Sequence, residues 1–411
     1  MHKRFFRVGL LIFLQIMLIF GWGTAPAAAA IEDQQLFTEA WQIVSRAYLD
    51  ETFNDQNWWL VRKKMLNHLP NDRQGTYKAI REMLASLDDP FTRFMKPDQY
   101  RSLQVNTSGE LMGVGLQIAL DAETGELEVI APIAGSPAGQ AGIQSRDRIL
   151  KIDQVPTSQL TLDEAAARMR GQAGTQVTLE VKRPGEEPKE IQLVRDRIAL
   201  NPVYAQLHSQ PGTIPIGYIR LSQFSANATS ELASAINRLE KQGSEGYILD
   251  LRNNPGGLLQ AGIEIARLWL DKGTIVYTVN RQGLVGSFAA NGTALTTDPL
   301  VVLVNQGTAS ASEILAGALQ DNGRAQLVGE KTFGKGLIQS LFDLSDGSGL
   351  AVTVAKYETP NHRDIHKLGI NPDRLVELEP ITLDQIGTTA DRQYQAAADL
   401  LTKDLVLANA A

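Results

Sequence analysis

Between residues 216 and 329 the chain alternates short apolar strands with helical stretches, and this repetition leaves few folds open to it. Strands are predicted at 216–221, 246–251, 300–304 and 324–329, and helices at 230–239, 258–270 and 312–322. Repeated β-α-β units build a parallel sheet covered by helices, with reactive groups gathered at the carboxyl ends of the strands. Two such ends stand out. One is Asn305-Gln306-Gly307, which leads into Thr308-Ala309-Ser310-Ala311-Ser312-Glu313; the other is Arg252-Asn253-Asn254-Pro255-Gly256-Gly257.

A serine at the start of a helix sits where unpaired backbone N–H groups favour negative charge, a suitable place from which to attack a carbonyl. Its hydroxyl is a weak nucleophile until a base takes the proton. The chain has no cysteine, and none of His68, His208, His362 and His366 lies within forty residues of Ser310. Lys335 lies 25 residues beyond Ser310, just past the strand at 324–329, so the helix-and-return path brings it back to the serine. A lysine serves as a base only when neutral, which requires burial to lower its pKa from about 10.4 toward about 7–8. Gly334 and Gly336 permit close backbone approach on either side of it, and a strand over 335–341 puts Lys335 and Gln339 on one face. The pattern is that of a Ser-Lys dyad with a positioning glutamine. The Pro255-Gly256-Gly257 turn ahead of a helix exposes backbone N–H groups, as an oxyanion requires.

Two rival chemistries are weaker. Residues 329–336 match G-x-x-x-x-G-K but end in glycine where a phosphate loop needs Ser or Thr, and 337–341 alternate like a strand rather than opening a helix. His362-Arg363-Asp364-Ile365-His366 lacks the asparagine and magnesium motif of a kinase loop and a fourth metal ligand, and reads as a solvated loop. No metal and no cofactor is expected.

At 411 residues, 43% hydrophobic and 21% charged, the composition is that of a soluble chain of two or three domains. Residues 1–30 have a basic start, an apolar run over 8–20 and the sequence Ala27-Ala28-Ala29-Ala30, which together read as a secretory signal cleaved after Ala30. The apolar run is shorter than the roughly 20 residues that span a bilayer. Loss of Lys3, Arg4 and Arg7 takes the formal charge from −7 to −10, which argues against a nucleic-acid partner.

Residues 31–103 read as helical, with Phe37, Trp41, Val44 and Tyr48, then Tyr77, Ile80, Met83 and Leu87, at helical spacing; Asp88-Asp89-Pro90 ends the last of these helices. Trp58 and Trp59 are expected to pack inward. From Ser108 the texture changes to short strands and turns: Gly113-Val114-Gly115-Leu116 before a strand, Gly135-Ser136-Pro137-Ala138, a helix over 162–169, and the turn Arg170-Gly171-Gln172-Ala173-Gly174-Thr175. Adjacent N–H groups in a glycine loop hold a terminal carboxylate, and a neighbouring strand edge accepts an extended peptide. This stretch resembles a PDZ domain with Gly113, Val114, Gly115 and Leu116 as the carboxylate loop. A last helix, 393–405, is expected against the N-terminal helices.

With serine, lysine, glutamine and a preceding carboxylate-loop domain in this order, the chain resembles the carboxyl-terminal processing proteases over essentially its whole mature length. The resemblance implies a multidomain α/β fold. After a signal at 1–30 come an N-terminal helical domain (31–103), a PDZ-like β-rich domain (104–196), an α/β core of ββα type (197–385) and a C-terminal helix (386–411) packing back on the N-terminal domain. It implies Ser310 as nucleophile, preferred to Ser312 as the first serine of S-A-S-E. Lys335 would be the general base, oriented by Gln339, and the N–H groups of Gly256 and Ala311 the oxyanion hole. Glu313 would be a nearby structural carboxylate, and Arg170 a residue reporting PDZ occupancy.

Finer wording, with Ala40-Trp41, Arg46-Ala47-Tyr48, 87–94, and Tyr357-Glu358-Thr359-Pro360 with Asp364-Ile365 and Lys367, is similar to the branch that matures the D1 subunit of photosystem II, although Pro255 stands where that branch more often has glycine. The resemblance then implies a protein substrate with a free C-terminus, the D1 precursor. The enzyme would be a monomer in the thylakoid lumen or periplasm of a cyanobacterium, meeting a membrane only through an embedded substrate. The other readings are a tail-specific paralogue with a different substrate and a non-catalytic PDZ adaptor, and the intact Ser310, Lys335 and Gln339 argue against the adaptor.

Overall fold

The computed structural model describes residues 24–409 apart from 71, 122–123, 134, 210–213, 378–380 and 383–384. Most of the expected signal sequence lies outside them. The described chain opens with α1 (Thr24–Ala47), α2 (Trp58–Leu66), α3 (Arg73–Ala85), the short strand β1 (Arg93–Met95) and α4 (Pro97–Ser108). Short elements follow: β2 (Glu110–Gly113), β3 (Leu116–Leu120), β4 (Leu127–Pro132), the one-turn α5 (Pro137–Gln140), β5 (Arg148–Ile152), β6 (Val155–Pro156), α6 (Leu162–Met169), β7 (Gln176–Lys182), β8 (Lys189–Val194) and β9 (Asp196–Ala199). Next come β10 (Val203–His208), β11 (Ile216–Leu221), α7 (Ala228–Lys241), β12 (Gly246–Asp250), α8 (Leu259–Trp269), β13 (Thr274–Asn280), β14 (Gly283–Ala289), β15 (Leu300–Val304) and α9 (Ala311–Asp321). The chain continues with β16 (Ala325–Gly329), β17 (Leu337–Asp343), β18 (Gly349–Glu358), β19 (Arg374–Leu375) and α10 (Arg392–Asn409).

These elements form two units. The first gathers the chain up to Ser102, Gly273–Ala289 and Gly334–Ile370. Its sheet runs β1-β18-β13-β14, with β17 also on β18. The helical spacing of Phe37 and Val44 on α1 and of Ile80 and Met83 on α3 builds one apolar cluster with Leu350 and Val352 of β18. In the turn after β17, Asp346 accepts from the Tyr77 hydroxyl at 2.7 Å and from Arg73. Strand β1, helix α4 and the β13–β14 hairpin were not predicted. Their short apolar patterns become meaningful only through long-range pairing, such as Phe94 opposite Leu350.

The second unit comprises Leu103–Lys272, Ala290–Phe333 and Asn371–Ala411. It holds a sheet of order β3-β4-β5-β7-β8 with its own apolar cluster, including Val129, Ile149, Leu179 and Met169, and the ribbon β2–β9. It also holds the predicted α/β sheet, of order β10-β11-β12-β15-β16-β19. Strands β11, β12, β15 and β16 are parallel, and every residue of β12 and β15 is buried. Continuous burial of this kind belongs to parallel strands covered on both faces.

The last helix departs from expectation. Its Tyr394, Ala396, Ala397 and Leu401 lie in a cluster with Ile216, Tyr218, Ile248, Val301, Leu303 and Val328, so it belongs to the second unit and seals the six-stranded sheet there. The reason is polar as well as apolar. Asp391, just before α10, is fully buried and takes Arg252 through two bonds, at 3.0 and 2.7 Å, while Arg252 also grips Asp250 at 2.6 Å. Burial alone raises the Asp391 pKa. Its bonds and charge contact with Arg252, with the N–H groups of Gly387 and Tyr394, outweigh that effect and hold it below the usual carboxylate range. Removing one partner of a buried ion pair costs about 3 kcal/mol or more.

Asp391→Asn is therefore expected to lower stability by about 3 kcal/mol at neutral pH. The wild type holds this contribution above the unfolded carboxyl pKa of about 3.9 and loses it as pH falls through the lower folded value. The gap between wild type and variant should narrow in acid. Urea midpoints across pH measure it, and a gap independent of pH down to strong acid would contradict the ion-pair account.

Candidate active site

Ser310 sits at the N-cap of α9, at the carboxyl end of β15, with φ 59° and ψ −118°. A non-glycine residue in this region is strained by about 1–3 kcal/mol and persists only where its surroundings hold it. Glu313 provides part of that hold. Fully buried, it accepts from the Ser310 N–H at 2.9 Å through one oxygen and from the Thr332 hydroxyl at 2.6 Å through the other, while its own N–H donates to the Ser310 carbonyl at 2.8 Å. The expectation of a structural carboxylate at Glu313 gains a specific content: it ties the serine to the segment beyond β16. Phe333 follows suit, its N–H donating to the Thr308 carbonyl at 3.0 Å.

The other hold comes from the loop after β12. The Asn254 carbonyl accepts from both the Ala309 N–H and the Ser312 hydroxyl, each at 3.0 Å. Asn305 accepts from the N–H groups of Asn253 and Gly307, and the Thr308 hydroxyl donates to the Leu251 carbonyl. Adjacent parallel strands deliver both loops to one edge of the sheet, as predicted. Gly256 lies against the serine: a Cβ placed there would sit 2.9 Å from the Ala311 nitrogen and 3.0 Å from the Ser310 Cβ. Ser312, the alternative nucleophile, is buried and spent on Asn254. One expectation meets a complication. The Gly256 N–H donates to Asn254 Oδ1 at 2.9 Å, so in this structure that donor is already engaged.

Sequence reasoning missed Asn254, Asn305 and Thr332. The signal for the first two was present, since asparagine bonds to nearby backbone N–H groups in turns: Asn305 stands directly after β15, and Asn254 lies in the turn that follows β12.

Lys335 and Gln339 belong to the first unit. Strand β17 begins at Leu337, and a register shift falls between Ile338 and Gln339. The extra residue is Val354 of β18, which falls between the partners of Ile338 and Gln339, so β17 itself runs without interruption and Lys335 lies two residues ahead of it. Gln339 reaches the Thr353 hydroxyl of β18 at 3.4 Å. The Lys335 amine lies 4.9 Å from the centre of the Phe91 ring, and its carbonyl accepts from the Tyr357 hydroxyl at 2.8 Å. The flanking glycines act as predicted: a Cβ at Gly334 or Gly336 would come within 2.8 Å of the backbone of Gly369 or His366. No helix follows Gly336, which removes the phosphate-loop geometry. The loop expected to be solvated is partly structural, with Ile365 buried and His362 stacked on Tyr277 at 4.2 Å.

In the small sheet, β3 is an edge strand, open to one more strand, and α6 packs beside it. Ahead of it, Gly113 pairs with Arg170 in an antiparallel bridge, Val114 is buried, and Gly115 has φ 77°. The Val114 carbonyl accepts from the Ala138 N–H, and that of Gly115 from the Ile133 N–H and the Ser136 hydroxyl. Leu116 packs on the domain's apolar cluster. The loop is thus fastened inward through its carbonyls.

The Ser310 backbone account is testable without activity. Ser310→Gly and Ser310→Ala both lose the hydroxyl, but only glycine adopts this conformation freely, so the glycine variant should be more stable by about 1 kcal/mol. Denaturant unfolding decides the order; an alanine variant at least as stable would mean that the strain is absent.

Residues 215–376 match the model for peptidase family S41, and 128–183 match a PDZ domain. A carboxyl-terminal-processing protease of Synechocystis sp. is 62% identical, covering 100% of this chain and 96% of its own. The chloroplastic carboxyl-terminal-processing peptidase 2 of Arabidopsis thaliana is 48% identical, covering 85% of this chain and 70% of its own. A solved structure titled photosystem II D1 C-terminal processing protease is 42% identical with a TM-score of 0.56, covering 87% of this chain and 98% of that one. The chain belongs to the carboxyl-terminal-processing proteases, serine peptidases of family S41 that carry a PDZ domain.

Proposed function

We propose that this peptidase cleaves by a Ser310–Lys335 dyad and trims the carboxyl-terminal extension of the photosystem II D1 precursor in the thylakoid lumen or periplasm, after removal of a signal ending at Ala30. The observation that carries the serine assignment is its held, strained backbone at a helix N-terminus, with Gly256 packed against it. Lys335 follows by two residues the Phe333 that is bonded to Thr308, and by three the Thr332 that is bonded to Glu313. Support for the substrate is the likeness to a protease whose title names D1.

In the proposed reaction the peptide's terminal carboxylate meets the Gly113–Leu116 loop and its chain extends along β3. Ser310 Oγ attacks the scissile carbonyl as neutral Lys335 takes its proton, and the developing oxyanion is met by the N–H groups of Ala311 and Gly256. The lysine returns the proton to the leaving amine, and water then releases the acyl group by the same path. Gln339 orients the amine. Arg170, bridged to Gly113 through its backbone, would relay occupancy of the loop. The chain is taken to act as a monomer.

Single-turnover cleavage of a peptide ending in the D1 extension tests this. Ser310→Ala and Lys335→Ala should each reduce the rate by at least about a thousandfold while leaving the protein folded. Amidating the peptide terminus should weaken binding with little effect on the bound rate. Cleavage persisting in folded Lys335→Ala would reject the dyad. Binding without cleavage by the wild type would favour the adaptor reading, and cleavage of other tails in preference to D1 would favour the paralogue.

A further inference from the structure

The two adjacent tryptophans of α2 have opposite fates. Trp58 is 5% exposed, stacked on Phe53 at 5.0 Å, and its carbonyl accepts from the Trp41 indole at 3.0 Å; Trp59 is 54% exposed and Leu60 beside it 52%. No other two large apolar residues consecutive in the sequence are both exposed among the described residues. The arrangement is fixed by the approach to the helix. Phe53, Asn54 and Asp55 all have positive φ, of 50°, 60° and 56°, a costly turn that places Phe53 under Trp58, and Asn57 caps the helix by accepting from the Leu60 N–H at 3.1 Å. With Trp58 locked inward, the helical turn of about 100° per residue directs Trp59 and Leu60 to solvent.

One turn further on stand Lys63 and Lys64, both exposed, with the Lys63 amine 5.4 Å from the centre of the Trp59 ring. Residues 56–71 contain Arg62, Lys63 and Lys64 and no acidic side chain, in a chain of net charge −7. An exposed indole beside an aliphatic side chain, flanked by lysines on a short helix, matches the boundary of an anionic bilayer. There the indole and leucine enter the headgroup region while the lysines meet lipid phosphates or sulfates.

We infer that α2 is an interfacial anchor by which the protein docks reversibly on anionic lipid membranes through Trp59, Leu60, Lys63 and Lys64. The contact is peripheral, since no described helix is long and apolar enough to cross a membrane. It rests on this surface alone and not on the serine chemistry.

The test is co-sedimentation of the exported protein with vesicles of phosphatidylglycerol mixed with phosphatidylcholine, against phosphatidylcholine alone. The wild type should bind the mixed vesicles and be released by salt. Each lysine near an anionic surface is worth roughly fivefold in binding, so Lys63→Glu with Lys64→Glu should weaken it by roughly twentyfold or more. Trp59→Ser with Leu60→Ser should abolish it, with the unfolding midpoint and cleavage of a soluble peptide unchanged in both variants. Failure to bind the mixed vesicles, equal binding to neutral ones, or binding that survives the Trp59/Leu60 replacement overturns the proposal. So does self-association of the free protein that this replacement removes without any vesicle binding, which would make the patch a contact between copies. Because soluble-peptide cleavage is read separately, none of these outcomes bears on the proposed protease reaction.

Discussion

The backbone of Ser310 is the constraint around which the second unit is built. A serine at φ 59° is held there only because several groups leave it no alternative. Glu313 receives its N–H from one side, and the Asn254 carbonyl fixes residues 309 and 312 on either flank. Gly256 leaves room where any side chain would strike the Ala309 carbonyl. These groups follow two adjacent parallel strands of the sheet, β12 and β15, and the Thr332 that holds Glu313 follows the next, β16. The apolar runs of those strands therefore matter beyond their stability, since a register slip would carry the polar loops apart.

Behind this edge lies a second polar arrangement. Arg252 stands two residues before Asn254, and its guanidinium is clasped by Asp250 and Asp391, with Gln393 at 3.0 Å. Both carboxylates are fully buried. Such a cluster stabilises little compared with apolar packing, yet it is intolerant of losing a member. It makes the segment leading into α10 a part of the scaffold under the Asn254–Gly257 loop, with apolar residues of α10 closing the sheet face above it.

Much of this was legible in the sequence where the controlling forces are local. Strands at 216–221 and 300–304 and the helix at 162–169 fell where apolar periodicity and turn residues put them. The meeting of the Ser310 and Gly256 loops was legible because each follows one of two adjacent parallel strands, whereas Glu313 was singled out only through the family resemblance. What escaped depends on pairing across long stretches. Asp391 meets Arg252 across 139 residues, and nothing near Asp391 announces it. The first unit is assembled from three separated segments. The extra residue Val354 in β18, opposite the step from Ile338 to Gln339, is a matter of pairing between strands and leaves no trace in the pattern of either strand alone.

The engagement of the Gly256 N–H by Asn254 has a consequence for catalysis. A donor bonded to a neutral amide oxygen is not freely offered to the neutral carbonyl of a bound peptide, because the exchange replaces one ordinary hydrogen bond with another and gains little. An oxyanion is a different competitor, since hydrogen bonds to an ionised acceptor are roughly twice as strong. For an enzyme in which Gly256 is an oxyanion donor, releasing the Asn254 bond costs the same whichever ligand takes the N–H, so the net gain is close to zero for the neutral carbonyl and remains for the tetrahedral intermediate. That difference is the only kind of interaction that raises the chemical rate. The same bond keeps the loop ordered between turnovers, and because Asn254 also donates to the Leu221 carbonyl at 2.7 Å, its acceptor oxygen stays in place when the Gly256 N–H leaves it and returns.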